Sequence, residues 1–378
     1  MIEPLISIVI PTYNRQDTIE SCLESIFVQT YPNYEVIIVD DGSSDNTVET
    51  VLAILRLKGV SPVITDLRVS NNVHTERAKA TIQSHDCRIS LDGLGVSCCN
   101  WLIMIQNNSG PAIARNSGIY ASQGDYISFL DSDDFWYDQT LANFVKVIAD
   151  NPGISFIAGT ASEITQSPPH TLSDYSCAGD LKYSLYQNYY SASHDNLWIG
   201  TPSTCIRRSD LFEVGLFDSH RYNAEDSHLW LKLGTSGPFA FIRQPATFAY
   251  CRTSNSAVAD HASTFKGLNY ILLSDKMNRY PGSSKYQVCR SRIIAMHLKP
   301  SCLSLVKHHH YILAARLYSG ALRHLVVTRD VLFVVCYPPL YIWSAISLLS
   351  RQLFKSFCFA AGLSKSSKLP TKSVESIL

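Results

Sequence analysis

The stretch ISIVIPTYNRQDTIESCLESIFVQTYPNYEVIIVDDGSSD, residues 6–45, decides the fold class. It opens with the run at 6–10 and ends with the run at 35–39, short apolar segments of the β-branched kind found in strands buried on both faces of a parallel sheet. Between them Ile19, Cys22, Leu23, Ile26 and Phe27 recur at i, i+3, i+4, i+7 and i+8, the period of a helix with one buried stripe. Asp17 and Glu20 have the spacing of a capping box at its start. A second stripe, Val48, Val51, Leu52 and Leu55, follows the second run. Strand, helix, strand, helix in that order predicts right-handed crossovers and a mostly parallel sheet, hence an α/β domain.

From about residue 58 to residue 100 the periodicity lapses, and the vicinal pair Cys98-Cys99 falls in a mixture of polar residues. This stretch is expected to be an atypical surface insertion. Order resumes with a strand at 102–106, a helix at 111–122, a strand at 126–130, a helix whose Leu141, Phe144, Val145 and Ile148 share a face, and a strand at 154–158. Residues 160–200, rich in Ser, Tyr and Asn, read as a loop-bearing subregion. The predicted organisation is therefore an α/β domain over 1–255, a helical extension over 256–330, an apolar segment over 331–360 and a disordered tail over 361–378. Residues 290–325 read as helical, and His308, His309 and His310 within them point three ways on a helix, which suits a solvated turn and not a metal site.

At 378 residues the chain can bury one large core and still carry an appendage. Its 32 basic residues balance 32 acidic ones, so no overall field attracts nucleic acid, and none is expected as a partner. The 11 cysteines are scattered, odd in number and without a C-x-x-C pair, the usage of reduced thiols in a cytoplasmic protein. The N-terminus has an acidic residue and no basic one before its short apolar run, which reads as a first strand and not as a signal peptide.

Open parallel sheets bind ligands outside the carboxyl ends of their strands. Three such ends carry polar clusters here: Pro11-Thr12-Tyr13-Asn14-Arg15, Asp40-Asp41-Gly42-Ser43-Ser44-Asp45 and Asp131-Ser132-Asp133-Asp134. Carboxylates gathered on one edge repel one another unless a cation or a hydrogen-bonding ligand lies among them. Asp131 and Asp133, two residues apart, supply the hard oxygens that Mg²⁺ or Mn²⁺ takes alongside substrate phosphates. Neither G-x-x-x-x-G-K-[ST] nor G-x-G-x-x-G occurs, so a phosphate-bearing ligand would be held through a metal and not by a glycine-rich loop.

Five stretches in order carry a resemblance: SIVIPTYNR (7–15), VDDGSSD (39–45), NNSGPAIARNSGI (107–119), FLDSDD (129–134) and AEDSHLWLKL (224–233). Over roughly residues 5–255 the chain resembles the family 2 inverting glycosyltransferases of the GT-A fold. The resemblance implies a nucleotide-diphospho-sugar donor, a UDP-sugar above all, and Mn²⁺ or Mg²⁺ as cofactor. Asp41 would accept a hydrogen bond from the donor base near Pro11 and Thr12, Asp131 would lie by the ribose, and Asp133 would hold the cation. Arg115 and Asn116 would shape the nucleotide pocket, a structural ion pair being the other reading of Arg115. Glu225-Asp226 matches the family's acidic pair, and Asp226 would be the base that takes a proton from the incoming hydroxyl. The same pair also suits a helix N-terminus, where the dipole favours acidic residues. Trp230 is expected in the core, and His228 is expected to be exposed.

Two departures from the family pattern stand out. The His that often follows a Tyr-Arg pair is absent from Tyr250-Cys251-Arg252-Thr253-Ser254, which leaves Arg252 as a substitute at the phosphates, and the 58–100 stretch lies where relatives are shorter. The alternative function is a sugar-nucleotide-binding GT-A protein without turnover. A processive synthase would bring a Q-x-x-R-W segment and several membrane spans, and a nucleotidyltransferase a glycine-rich opening loop; none of these is present.

Residues 331–350 hold no charge over 20 positions, long enough for a span, yet Pro338-Pro339 removes two backbone donors near the middle. Tyr337, Tyr341 and Trp343 favour the headgroup level, and Arg351, Lys355, Lys365, Lys368 and Lys372 would be attracted to anionic lipid. An in-plane or re-entrant hairpin on the inner face of the cell membrane is expected here ahead of a span or a buried helix pair. It would hold the protein near a glycan or lipid-linked acceptor.

Overall fold

The computed structural model describes residues 3–68, 101–164, 175–177, 179–219, 222–251 and 260–360, with side chains to residue 347. The first apolar run becomes β1 (Ile6–Thr12) and the second β2 (Tyr34–Asp40), both buried throughout. They pair in parallel, from Ile6 opposite Tyr34 to Thr12 opposite Asp40. Helix α1 (Ile19–Phe27) joins them with Ile19, Cys22, Leu23 and Ile26 turned inward. The capping box expected from Asp17 and Glu20 does not form. Thr18 precedes the helix without a side-chain cap, and its hydroxyl donates instead to the Ser132 carbonyl, 3.0 Å away. The N–H groups of Thr18 and Ile19 donate to the Arg15 carbonyl at 3.1 and 3.0 Å, so a turn of backbone meets the start of the helix where the box would have.

Helix α2 (Thr47–Leu57) leads toward β3 (Val63–Asp66), a four-residue strand whose burial alternates. The expectation of an insertion without regular structure from residue 58 is corrected here, since β3 pairs in parallel with β4 (Trp101–Ile105) at the sheet edge. Four residues are too few to show a period in the sequence. Residues 69–100, with Cys98-Cys99, lie outside the described residues. Helix α3 (Pro111–Ala121) returns to β5 (Tyr126–Phe129), which pairs in parallel with β1 on the side away from β2. Order reverses there, so the crevice above β1 and β5 is the sheet's switch point.

The chain continues through β6 (Phe135–Trp136), α4 (Thr140–Asp150), β7 (Phe156–Gly159), β8 (Ala161–Ile164) and β9 (Lys182–Tyr186). Next come β10 (Cys205–Arg207), α5 (Arg208–Glu213), α6 (Glu225–Lys232), β11 (Phe239–Gln244) and β12 (Phe248–Cys251). Among the described residues the main sheet has nine strands in the order β3-β4-β2-β1-β5-β10-β7-β11-β9, parallel except where β10 and β9 pair. A small sheet, β6-β12-β8, stands apart. The stretch expected to be loops over 160–200 thus contributes a strand to each sheet. Ile6, Ile8 and Ile10 of β1 share a core with Leu23, Leu55, Trp136 and Phe144. Fully burying a side chain of this size contributes about 1.5–3 kcal/mol.

The first compact unit reaches from Met1 to His297. It includes α7 (His261–Lys276) and the first half of α8 (Gln287–Lys307). A buried ion pair, Arg290 Nε to Asp275 Oδ1 at 3.0 Å, joins these two helices.

The second unit, Leu298–Leu378, holds the end of α8, then α9 (Tyr311–Val327) and α10 (Val331–Ala360). The exposed residues 308–310 form the turn between α8 and α9, as expected of the three histidines. The expected break at Pro338-Pro339 is corrected, for α10 runs through both prolines as one helix. Pro338 has no N–H for the Val334 carbonyl, and the Tyr318 hydroxyl takes that acceptor at 2.8 Å. Tyr337, 3% exposed, stacks on Tyr318 and Phe333. The opposite face exposes Val331, Leu332, Val335, Ile342, Trp343 and Ile346. No helix among the described residues is long and apolar enough to cross a membrane.

Candidate active site

The carboxyl ends of β1, β2 and β5 bring the three polar clusters together. At the end of β2 the chain turns through Gly42, whose φ of +78° places it against the backbone of Gln106 and Asn108. That close approach leaves no room for a side chain. Asp41 reaches the same loop: Oδ1 accepts from Gln106 Nε2 at 2.7 Å and Ser109 N at 2.8 Å, and Oδ2 accepts from Gly110 N at 2.7 Å. The carboxylate therefore seats the loop that opens α3.

Two polar atoms beside it, Thr12 Oγ1 and Asp40 Oδ1, are buried without a hydrogen-bond partner. They belong to residues paired across β1 and β2. Burial pushes the Asp40 carboxyl above its ordinary range, against the hydrogen bonds it accepts from Ser43 and Gly42. Buried polar groups are ordinarily hydrogen-bonded, so these two atoms call for a partner. Sequence reasoning missed Asp40 because its neighbour Asp41 carried the family match. The signal that would have found it is its place as the last residue of a buried strand.

Asp131 and Asp133 follow β5. Asp133 is raised above the usual carboxylate range by burial first and then by the charge of Asp131, and Arg15 at 3.2 Å opposes both. Asp134, 4% exposed, is pushed up to about 9 by burial and then by its two acidic neighbours, with the Cys251 N–H donating to it at 2.9 Å. Asp131, Asp133 and Asp134 thus follow one strand end, yet among the described residues no three His, Cys, Asp or Glu side chains are grouped so as to hold a metal ion. Sequence reasoning did not single out Arg15 as their partner.

Arg115 is the largest compensation. Its guanidinium, 6% exposed, donates to Asp131 Oδ1 and to Glu225 Oε1, each at 2.8 Å. The ring of Phe217 lies 5.5 Å from its charge. One buried cation thus connects the strand-end cluster with the first residue of α6. The ion-pair reading of Arg115 is the one the geometry supplies. Asn116, one residue on, donates to the Phe217 carbonyl at 2.8 Å and accepts from the Phe217 N–H at 3.0 Å. Both ends of its amide hold that loop in place.

Helix α6 begins at Glu225, after Ala224 in a left-handed conformation with φ 70°. Asp226 lies on the first turn, its Oδ1 accepting from Ser227 Oγ at 3.1 Å. Burial raises Asp226 against the Ser227 backbone N–H, and burial raises Glu225 against the attraction of Arg115. Trp230 packs on Phe156 in the core, as expected.

His228 is a correction: expected to be exposed, it is 3% exposed and belongs to a buried network. Its Nε2 lies 3.1 Å from Asp218 Oδ2 and its Nδ1 2.6 Å from the Tyr280 hydroxyl. Lys232 and the Tyr270 hydroxyl also donate to Asp218, at 2.9 and 2.6 Å. The partners come from residues 218, 270 and 280, too far along the chain for the helix's own pattern to reveal them. Arg252, expected near the phosphates, lies outside the described residues.

The profile described as "Glycosyl transferase family 2" matches residues 7–79 and 101–215, passing over 80–100. A UDP-Glc:alpha-D-GlcNAc-diphosphoundecaprenol beta-1,3-glucosyltransferase of Escherichia coli, WfgD, is 26% identical over 258 residues, 68% of this chain and 80% of its own. The chain spans 76% of a glycosyltransferase of Haemophilus influenzae but 31% of one of Rickettsia felis. Among solved structures, S. aureus TarS 1-349 in complex with UDP aligns at a TM-score of 0.55 and 16% identity, over 97% of this chain and 94% of that one. Mannosyltransferase PcManGT from Pyrobaculum calidifontis, in complex with GDP-Man and Mn2+, aligns at 0.51 and 17% identity, over 92% and 87%. These two likenesses bear on the fold.

The network at Asp218 generates a stability prediction. His228, Lys232 and Tyr270 together hold its carboxyl far below the usual range. A depressed carboxyl contributes stability above its unfolded pKa of about 4, and that contribution is lost as pH falls through the folded value. Asp218→Asn is therefore expected to lower unfolding free energy by about 1–3 kcal/mol at pH 7. The difference from wild type should shrink as pH drops below about 4. Urea unfolding of both proteins from pH 7 to pH 3 checks this, and a difference independent of pH would contradict it.

Proposed function

The chain belongs to the family 2 glycosyltransferases, and from that premise we propose that it moves a single sugar, with inversion at the anomeric carbon, from a UDP-sugar to a hydroxyl of a lipid-linked or cell-surface glycan precursor. The observation that carries this reading is the double ion pair of Arg115, which draws the donor-side Asp131 and the acceptor-side Glu225 onto one guanidinium. Asp226 is thereby next in the chain to a group tied to the strand-end cluster.

In this reading the nucleotide lies in the switch-point crevice. Thr12 Oγ1 and Asp40 Oδ1 offer unmet polar atoms there, beside Pro11. Asp41 seats the loop of residues 107–110 and keeps a lone pair on Oδ2 for the base. Asp131 lies by the ribose. A divalent cation, Mn²⁺ or Mg²⁺, would be held by Asp133, the carboxyl that Arg15 faces at 3.2 Å, together with the donor's phosphates. When bound, the cation neutralises charge gathering on the departing diphosphate.

Asp226 takes the proton of the acceptor hydroxyl as that oxygen attacks the anomeric carbon. The bond to the nucleoside diphosphate breaks on the opposite face. A base with a raised pKa takes a proton more readily, provided that it is ionised at the working pH. Turnover should therefore fall as pH drops through a value above 3.8, the ordinary carboxyl value for Asp226. Asp226→Asn is expected to lower turnover at least about a hundredfold while UDP binding is kept. The assay incubates the protein with Mn²⁺ and a panel of UDP-, GDP- and dTDP-sugars and measures released nucleoside diphosphate. Equal turnover in variant and wild type would move the base elsewhere. UDP binding with no release from any sugar would favour the silent sugar-nucleotide binder.

The exposed stripe of α10 supports the membrane part of the proposal. Val331, Val335, Ile342 and Ile346 recur on one helix face with Leu332 and Trp343 beside them, and the sequence beyond carries the lysines of the tail. A helix lying in the plane of the inner leaflet would bury that stripe and meet a lipid-linked acceptor. The full chain is expected to float with vesicles containing anionic lipid, and a chain lacking residues 331–378 is not. A full chain that stays unbound at low salt would rule out this anchor.

A further inference from the structure

Helix α7 lies beyond the last strand of the sheet, yet its contacts converge on the segment that leads into α6. Gly267 is the centre of them. A Cβ built on it would stand 1.6 Å from the Asn223 carbonyl oxygen, so any side chain there would overlap backbone. Around this point Ser263 Oγ receives the Asn223 N–H at 3.1 Å, and Asn223 Nδ2 donates to Thr264 Oγ1 at 3.0 Å. The Tyr270 hydroxyl donates to Asp218 at 2.6 Å, and the Lys266 ammonium lies 5.5 Å from the Tyr222 ring. Ser263, Thr264, Gly267 and Tyr270 fall at i, i+1, i+4 and i+7, one face of the helix. Just past its end, Tyr280 meets His228 of α6 from the side opposite Asp218.

These contacts hold residues that would not hold themselves. Ala224 sits at φ 70°, a conformation disfavoured for a residue with a Cβ, immediately before Glu225 and Asp226. Such a backbone persists where its surroundings over-determine it. Here the surroundings are the carbonyl of Asn223 pressed on Gly267 and the side chain of Asn223 bound to Ser263 and Thr264.

We propose that α7 is a positioning element of the active site and that Gly267, by admitting the Asn223 carbonyl against the helix, sets where α6 starts and hence where Asp226 stands. This rests on the role given to Asp226 above. Gly267 touches no reacting atom in this account; it acts through the backbone of residues 223–226. A displacement of the base by about 1 Å can cost about a hundredfold in rate, while binding of the nucleotide at the strand ends is left alone.

The test compares the full chain with Gly267→Ala, for which helix propensity alone would favour the variant. Amide hydrogen exchange over residues 222–232 is expected to quicken by at least about tenfold while that of β1 is unchanged. Turnover should fall about 10–100-fold with the KM for the sugar nucleotide and the calorimetric Kd for UDP both within about twofold. Should that variant not fold, Ser263→Ala combined with Thr264→Val removes the hydrogen bonds without added bulk and is expected to shift the same readings in the same direction. A folded variant with wild-type exchange and turnover would overturn the proposal, as would a parallel loss of UDP affinity. If wild type releases no nucleoside diphosphate, the reading of the function fails, and the exchange measurement alone decides whether α7 positions α6.

Discussion

Repulsion among carboxyls at one edge of the sheet is the constraint around which the site is built. Asp40 ends strand β2 and Asp41 follows it, Asp131, Asp133 and Asp134 follow β5, and Glu225 and Asp226 open α6. Left alone, so many acids in partly buried surroundings would stay neutral or drive the edge apart. Arg115 answers this with one charge placed between Asp131 and Glu225, and Arg15 faces Asp133. Removing a buried cation of this kind leaves its partners uncompensated, at a cost of about 3–5 kcal/mol. Asp133 and Asp134 remain raised, by burial first and then by the charge of their acidic neighbours.

The rest of the fold serves that arrangement. The order of strands puts β1 beside β5 at the switch point, so that three loops face one crevice. Asp41 and Gly42 bind the second of these loops to the entrance of α3, and α3 carries Arg115 on its second turn. On the other side the Asp218 network grips α6 through His228 and Lys232. The acidic pair is thus held from the sheet by Arg115 and from the helical side by α7 and Tyr280.

Legibility followed the range of the interactions involved. Strands β1 and β2 were plain because burial on both faces leaves an unbroken apolar run, and α1 because its inward stripe is strict. The edge strand β3 was hidden, four residues with half of its side chains in water carrying too little pattern. The capping box at Asp17 failed for the converse reason: the local match was present, but the helix starts two residues later and the Arg15 carbonyl takes the N–H groups of Thr18 and Ile19. At the site, Asp133 and Asp226 could be chosen from motifs, and so could Asp41, though its bonds to Ser109 and Gly110 could not be foreseen. His228 was misread because its neighbours on α6 say nothing of Tyr270 or Tyr280. The two prolines of α10 were misread because one of the two acceptors they strand, the Val334 carbonyl, is met by Tyr318, a residue of the preceding helix.

The central claim is that the edge at Asp131 and Asp133 is built to hold a cation against the diphosphate of a nucleotide sugar. Calorimetric titration of UDP into the full chain, with and without Mn²⁺, tests it most directly when repeated on Asp133→Ala. The account predicts that Mn²⁺ tightens UDP binding to wild type at least about tenfold, or about 1.4 kcal/mol, and leaves the variant unchanged. Equal tightening in both proteins, or none in wild type, would contradict it.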